Sequence, residues 1–360
     1  MSPRVTVLMS VYNGARYLRE AVDSILAQTW RDFEFLIIDD GSTDASAQIL
    51  ASYDDARIRI IRNETNVGLT RSLNIGLAAA RGALIARQDA DDVSDRERLA
   101  LQVAAFDADP ALAILGTGFY ALDDAGRIGG APPLWPRLSG ELALRWQTPF
   151  DNPFIHTSVV VRRDVVWDEL GGYDEAFRTN QDFELWSRLL RTHRGANLKA
   201  NLVGFRRHAA SISARYSPDL LARLTELMTR NLRDFHGLTN GAHELAEFWL
   251  TASNLHLFPE ARHLARGVAL LESAWTAFVA REPAAVRDRE IRAHRAAMFG
   301  RLACVLPVVD RRIALRCYMR ALQLDAAMAA SCTVRFIALM LMGNHKDSLR
   351  ALLRPSKEQS

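Results

Sequence analysis

The chain has 360 residues, 49% hydrophobic and 24% charged, with 45 Lys/Arg against 42 Asp/Glu and a formal net charge of +3. That is the balance of a globular protein with length for one large domain or two ordinary ones. Residues 241–360 carry 17 Lys/Arg against 11 Asp/Glu, so the basic excess lies in the C-terminal third; without a dense basic stripe, interleaved aromatics or zinc-finger spacing, nucleic acid is a poor partner.

Val5 to Val11 is predicted to be a buried strand, with Asn13-Gly14 as the turn after it. Tyr17, Leu18, Ala21, Val22, Ile25 and Leu26 follow at helical spacing. The pattern then repeats. Phe33 to Ile38 is a second strand closed by Asp39-Asp40-Gly41-Ser42-Thr43-Asp44, and a helix runs through Gln48, Ile49 and Leu50. Ile58 to Ile61 is a third strand, Asn66-Val67-Gly68-Leu69 leads into a helix carrying Leu73, Leu77 and Ala80, and Gly82 breaks it. Leu84-Ile85-Ala86-Arg87-Gln88 is then a fourth strand, ending in Asp89-Ala90-Asp91-Asp92. Alternating elements of this length imply a mostly parallel α/β sheet with helices on both faces.

The glycine patterns of the dinucleotide fold and the P-loop are missing. Acid stands at two strand ends instead, where open sheets bind ligands. Carboxylates repel unless a cation shares them, and a hard divalent ion uses one or two of them while substrate phosphates complete its shell. Asp89-Ala90-Asp91 therefore reads as a metal and diphosphate site. The bland alternatives are a solvated turn before a helix near Arg96, capped by Ser94 or Asp95, and an ordinary turn residue at Asp40.

Ser10-Val11-Tyr12-Asn13-Gly14, the 39–44 run, Asn66-x-Gly68-Leu69 and Asp89-Ala90-Asp91-Asp92, in this order, resemble the family 2 glycosyltransferases of GT-A fold. The resemblance implies a nucleotide-sugar donor, with Ser10, Tyr12 and Asp40 on its nucleoside and Gly68 among the donor-binding residues. It also implies that Asp91 ligates Mn²⁺ or Mg²⁺, and that Asp89 or Asp92 faces ribose or metal.

Ser94 to Phe106 continues in helical pattern, Ala113 to Tyr120 suits a strand, and Ser139 can cap a short helix through Leu142 and Trp146. Asn152 to Val161 reads as a loop feeding a strand; His156 in it is either an acceptor or diphosphate contact or a structural imidazole. Gln181-Asp182 precedes a helix with Phe183, Trp186 and Leu189 on one face. The family usually has Glu-Asp there, the Asp acting as general base; this chain loses the first carboxylate and keeps Asp182, with Glu184 as a rival. Phe205-Arg206-Arg207-His208 resembles the family's closing segment, which gives His208 a metal or diphosphate contact and Arg206 or Arg207 a charge for phosphate.

From Pro218 onward the pattern is helical, and Ala314 to Leu324 resembles one helix of a tetratricopeptide unit without a repeat at fixed period. Cys304, Cys317 and Cys332 are too widely spaced for a disulfide framework or a C-x-x-C pair, and a reducing compartment suits them. Met1-Ser2-Pro3-Arg4 leads straight into the first strand without an apolar signal region. The longest apolar run, Phe336 to Met342, is far shorter than the ~20 residues that cross a bilayer. Flanked by Arg335, Arg350 and Arg354, it offers a peripheral membrane contact, although packing or self-association is the simpler reading. The expectation is a cytoplasmic enzyme, peripheral at most at the inner face of the membrane. Residues 1–215 would form the catalytic domain, with 1–93 binding donor and 94–215 acceptor, and 216–360 a helical extension. It would move one sugar from a UDP-, GDP- or dTDP-sugar to a hydroxyl of a glycan or lipid-linked glycan in surface-polysaccharide or glycoconjugate assembly. The rivals are a catalytically silent scaffold of the same fold and a sugar nucleotidyltransferase.

Overall fold

The computed structural model describes residues 2–129, 138–206, 208, 218–253, 261–306 and 310–342. The chain divides into two units: Met1–Pro132 with Ser139–Leu144 and Asp151–Arg215, and Pro133–Leu138 with Arg145–Phe150 and Tyr216–Ser360.

In the first unit β1 (Val5–Val11), α1 (Leu18–Leu26), β2 (Phe33–Asp39), α2 (Ser46–Ala51), β3 (Ile58–Arg62), α3 (Leu69–Ala79) and β4 (Leu84–Asp89) follow the predicted order. Every residue of β1 and β2 is buried, as continuous apolar runs require when both faces are covered. After β4 come β5 (Val93–Ser94), α4 (Arg98–Ala108), β6 (Leu112–Leu122), α5 (Glu141–Gln147), β7 (Val160–Arg162), α6 (Gln181–Thr192) and β8 (Arg194–Arg206). The eight strands form one sheet in the order β3-β2-β1-β4-β7-β6-β8-β5. Its β3-β2-β1-β4 half is parallel throughout. β7 lies antiparallel to both β4 and β6, and β6 and β8 run parallel through three register irregularities. Close approach fixes some glycines: a Cβ on Gly82 would stand 2.4 Å from the Thr6 backbone nitrogen.

Ser94 belongs to β5, and its hydroxyl donates to Gln88 Oε1 at 2.7 Å instead of capping a helix. α4 starts at Arg98, with Asp95 Oδ1 accepting the Glu97 N–H at 2.9 Å. Strands β5 and β8 have no counterpart among the sequence expectations. β8 alternates apolar and polar from Ala196 to Leu202, so its period-two signal stood in the sequence, although its bulged pairing to β6 leaves the burial pattern without the same alternation.

The second unit is helical: α7 (Pro218–His236), α8 (Ala242–Ser253), α9 (Ala261–Arg281), α10 (Arg289–Val305), α11 (Arg311–Leu324) and α12 (Ala326–Met342). The tetratricopeptide-like fragment is part of α11. Aspartate side chains start the last three helices: Asp288 accepts from Ile291 N, Asp310 from Arg312 N and Ile313 N, and Asp325 from Met328 N. The core centres on Trp146, whose ring stacks on His236 at 4.6 Å and 5° and whose indole N–H donates to His294 Nδ1 at 3.1 Å. Trp275, Phe278 and Phe150 pack around it. None of the three cysteines is in a disulfide. No helix among the described residues is long and apolar enough to cross a membrane. Arg350 and Arg354, named for a membrane face, lie outside the described residues.

Candidate active site

Parallel pairing aligns the strand ends that carry acid. Ser10 of β1 stands opposite Ile38 of β2 and Asp89 of β4, and Val11 opposite Asp39. Asn13 takes a left-handed φ of 51°, and its Oδ1 accepts the Thr43 and Asp44 N–H groups at 2.8 and 3.3 Å. The loops after β1 and β2 are thus tied together. Tyr12 rises beside them, 49% exposed. Asp40 is buried, with Oδ1 accepting from Asn63 Nδ2 (2.8 Å) and the Val67 N–H (2.9 Å), and Oδ2 from the Gly68 N–H (3.0 Å). It holds the 63–68 loop closed before Gly68 turns, at φ 92°, into α3.

At the end of β4 the three aspartates differ in surroundings. Asp89 pairs with the buried Arg87 guanidinium, and its N–H donates to Thr157 Oγ1 at 3.1 Å. Asp92 is buried, and its Oδ1 accepts the Arg206 N–H at 2.8 Å. Asp91 is the most open of the three. Its Oδ2 lies 2.8 Å from His208 Nε2, whose ring rests against Tyr17. Burial raises the pKa of Asp89, which Arg87 opposes and Asp91 reinforces. Asp92 is raised well above the usual range, again by burial and then by Asp89 and Asp91.

Arg206, one of the two arginines expected to carry charge for phosphate, donates to the Asp91 carbonyl (2.9 Å), the Asp123 carbonyl (3.1 Å) and Glu20 Oε2 (2.5 Å). It clamps the acidic turn to α1 and to the 123–126 turn. Arg207 lies outside the described residues.

Asp182 opens α6 in its first turn. Asn152 Nδ2 donates to Asp182 Oδ2 at 2.7 Å. Burial raises the Asp182 pKa; the Phe183 backbone N–H and Asn152 lower it, while Asp89 raises it further. Asp89 therefore acts electrostatically on Asp182 and is itself acted on by Asp91, so these carboxylates share one region. His156 Nε2 lies 2.8 Å from the Tyr173 hydroxyl, and its ring packs on Trp186. Its pKa is pushed well down by burial and then by Arg87. Glu184, the rival carboxylate, is buried and paired with Arg188 at 2.8 Å. Among the described residues no group of three or more His, Cys, Asp or Glu is arranged to hold an ion by itself.

Residues 6–170 match the family model for glycosyl transferase family 2. Over 220 residues the chain is 36% identical to EpsE of Bacillus subtilis, provisionally named a glycosyltransferase, covering 59% of this chain and 76% of that one. The chain belongs to glycosyltransferase family 2. An uncharacterised glycosyltransferase of Haemophilus influenzae is 29% identical over 224 residues, 60% of this chain and 69% of that one. Among solved structures, TarS 1-349 of S. aureus in complex with UDP-GlcNAc aligns over 91% of each chain, with a TM-score of 0.57 at 17% identity. Its complex with UDP aligns with a TM-score of 0.55 at 16% identity. The fold is the GT-A arrangement, followed by a helical region.

Two residues of this glycosyltransferase site were not singled out in the sequence, Arg87 and Asn152. Arg87 sits two residues before Asp89 on one strand, hence on the same face. An arginine in an otherwise apolar strand needs a carboxylate partner, and that signal was available. Asn152 meets Asp182 across 30 positions, and no pattern announces it.

Proposed function

We propose that this glycosyltransferase is a metal-dependent inverting enzyme that moves a single sugar from a nucleoside-diphosphate sugar to an acceptor hydroxyl. In this reading residues 1–215 are the catalytic domain, with 1–93 holding donor and 94–215 acceptor. Ser10, Tyr12 and Asp40 serve the nucleoside, and Gly68 lies among the donor-binding residues. The observation that carries it is the Asp182 carboxylate, held by Asn152 at a helix start and raised by burial next to Asp89. A carboxylate with a raised pKa is a stronger base, and it lies in the region of the strand-end acids that would face the diphosphate.

Asp91 and His208 would hold Mn²⁺ or Mg²⁺. One open carboxylate beside one imidazole fits an ion whose remaining ligands come from substrate phosphate, in keeping with the missing three-ligand cluster among the described residues. Such an ion supplies charge to the leaving diphosphate. Asp89, with its orientation set by Arg87, would face the donor ribose or sugar. The incoming hydroxyl oxygen bonds to the anomeric carbon and gives its proton to Asp182. The bond from that carbon to the diphosphate oxygen breaks, the electron pair leaves with the nucleoside diphosphate, and the configuration inverts.

TarS, solved with UDP and UDP-GlcNAc, supports a nucleotide-sugar donor. A glycan or lipid-linked glycan acceptor in surface-polysaccharide or glycoconjugate assembly completes the proposal, with a cytoplasmic location and with α12 as a peripheral membrane or self-association element. A panel of UDP-, GDP- and dTDP-sugars with Mn²⁺, scored for donor hydrolysis and transfer, tests it. Asp182→Asn should lower transfer by about 10²- to 10⁴-fold with donor affinity unchanged. Wild-type turnover in that variant would remove Asp182 from the mechanism.

A further inference from the structure

Asn152 stands in a loop fixed from several sides. Its N–H donates to Asp151 Oδ1 at 2.9 Å, and Pro153 keeps it in the extended region. The Pro153 carbonyl accepts from Asn197 Nδ2 of β8 at 3.1 Å. The next side chain, Phe154, is buried edge-on against Trp186, one turn along the helix that carries Asp182. Within this frame the Asn152 amide has one orientation. Its oxygen accepts the Phe154 N–H at 3.2 Å and its nitrogen donates to Asp182 Oδ2 at 2.7 Å. Turned over, it would set an oxygen against a carboxylate oxygen and an NH₂ against an N–H.

We propose that Asn152 is the positioning residue of the base: by holding Asp182 Oδ2 with a side-chain donor it aims the carboxylate that takes the acceptor proton. This rests on the reading of Asp182 as the base. The charged and titratable groups around the pair are Asp89, Arg87 and Tyr173, with His156 bonded to Tyr173. None of these donates to Asp182; its other donors are backbone N–H groups, those of Phe183 and of Asp182 itself, which every side-chain variant keeps. A donor to the ionised carboxylate does two things: it fixes the geometry and it favours the charged form.

The test compares Asn152→Ala, Asn152→Ser, Asp182→Asn and the Asn152→Ala/Asp182→Asn double variant, each with the best donor of the nucleotide-sugar panel and Mn²⁺. Asn152→Ala should lower kcat by roughly 10- to 100-fold with donor KM within about twofold, and raise the acid limb of the kcat–pH profile by about one pH unit. Asn152→Ser, which keeps a donor, should recover part of both and stands in should the alanine variant fail to fold. In the Asp182→Asn background, Asn152→Ala should cost nothing more. Carbodiimide labelling of Asp182 against pH, read by peptide mass, reports the same upward shift without any donor. If Asp182→Asn is inactive while Asn152→Ala keeps wild-type kcat and an unmoved acid limb, the positioning role is wrong. It is equally wrong if Asn152→Ala costs as much without Asp182 as with it. Full activity of Asp182→Asn overturns the base assignment itself.

Discussion

Acidification from pH 7 to pH 5 should destabilise the helical unit by about 4 kcal/mol through two buried histidines. His236 and His294 are 0% and 1% exposed, and burial pushes each pKa down from 6.5 to about 3. Because the folded pKa lies below the unfolded one, the stabilising contribution is whole above pH 6.5 and is lost as the pH falls toward 3. At pH 5 the unfolded ring has gained its proton and the folded ring has not, a gap of about 1.5 pH units at ~1.4 kcal/mol each, hence ~2 kcal/mol per histidine. Asp89, Asp92 and Asp182 have raised values and act with the opposite sign, stabilising the other unit as the pH drops. A variant comparison separates the two. His236→Phe keeps a ring stacked on Trp146, and His294→Gln keeps an acceptor for the Trp146 indole N–H. Urea unfolding followed by far-UV circular dichroism at both pH values should show wild type losing about 4 kcal/mol more than the double variant. Equal losses in the two proteins would refute the reasoning.

Other outcomes follow from single contacts. His208→Ala should weaken Mn²⁺ binding by at least about tenfold in calorimetry with the nucleoside diphosphate present; unchanged affinity rejects its ligand role. Arg87→Met should cost about 2 kcal/mol in thermal or urea unfolding. That is less than the loss from breaking a fully buried pair, because the Asp89 side chain is 27% exposed. Gly82→Ala should destabilise by roughly 1–3 kcal/mol, since its Cβ would meet backbone that cannot turn aside; a neutral effect would mean that β1 and the 80–83 loop separate easily.

The first half of the sheet was legible because each of its strands is a short apolar run ended by glycine, asparagine or aspartate, and each helix carries its own 3.6-residue stripe. The second half was less so. β5 has two residues and no period to read, whereas β8 alternates apolar and polar from Ala196 to Leu202, a strand signal that was present in the residues. The strand-end acids were visible as residue types, but their environments were not. Nothing local tells that Asp40 closes a loop, that Arg206 clamps the acidic turn, or that His156 is packed against Tyr173 and Trp186. Those facts come from pairings between residues far apart in the chain, which single-sequence periodicity does not encode.

Arg206 and His208 reach the acidic turn from 114 to 117 positions further along the chain. During synthesis on the ribosome, the first four strands emerge with every loop that would face the nucleoside, while the turn with Asp91 and Asp92 still lacks its clamp. The acidic turn is thus clamped only when β8 docks beside β6. A nascent chain halted before residue 206 would carry the acids without the contacts that hold them in place.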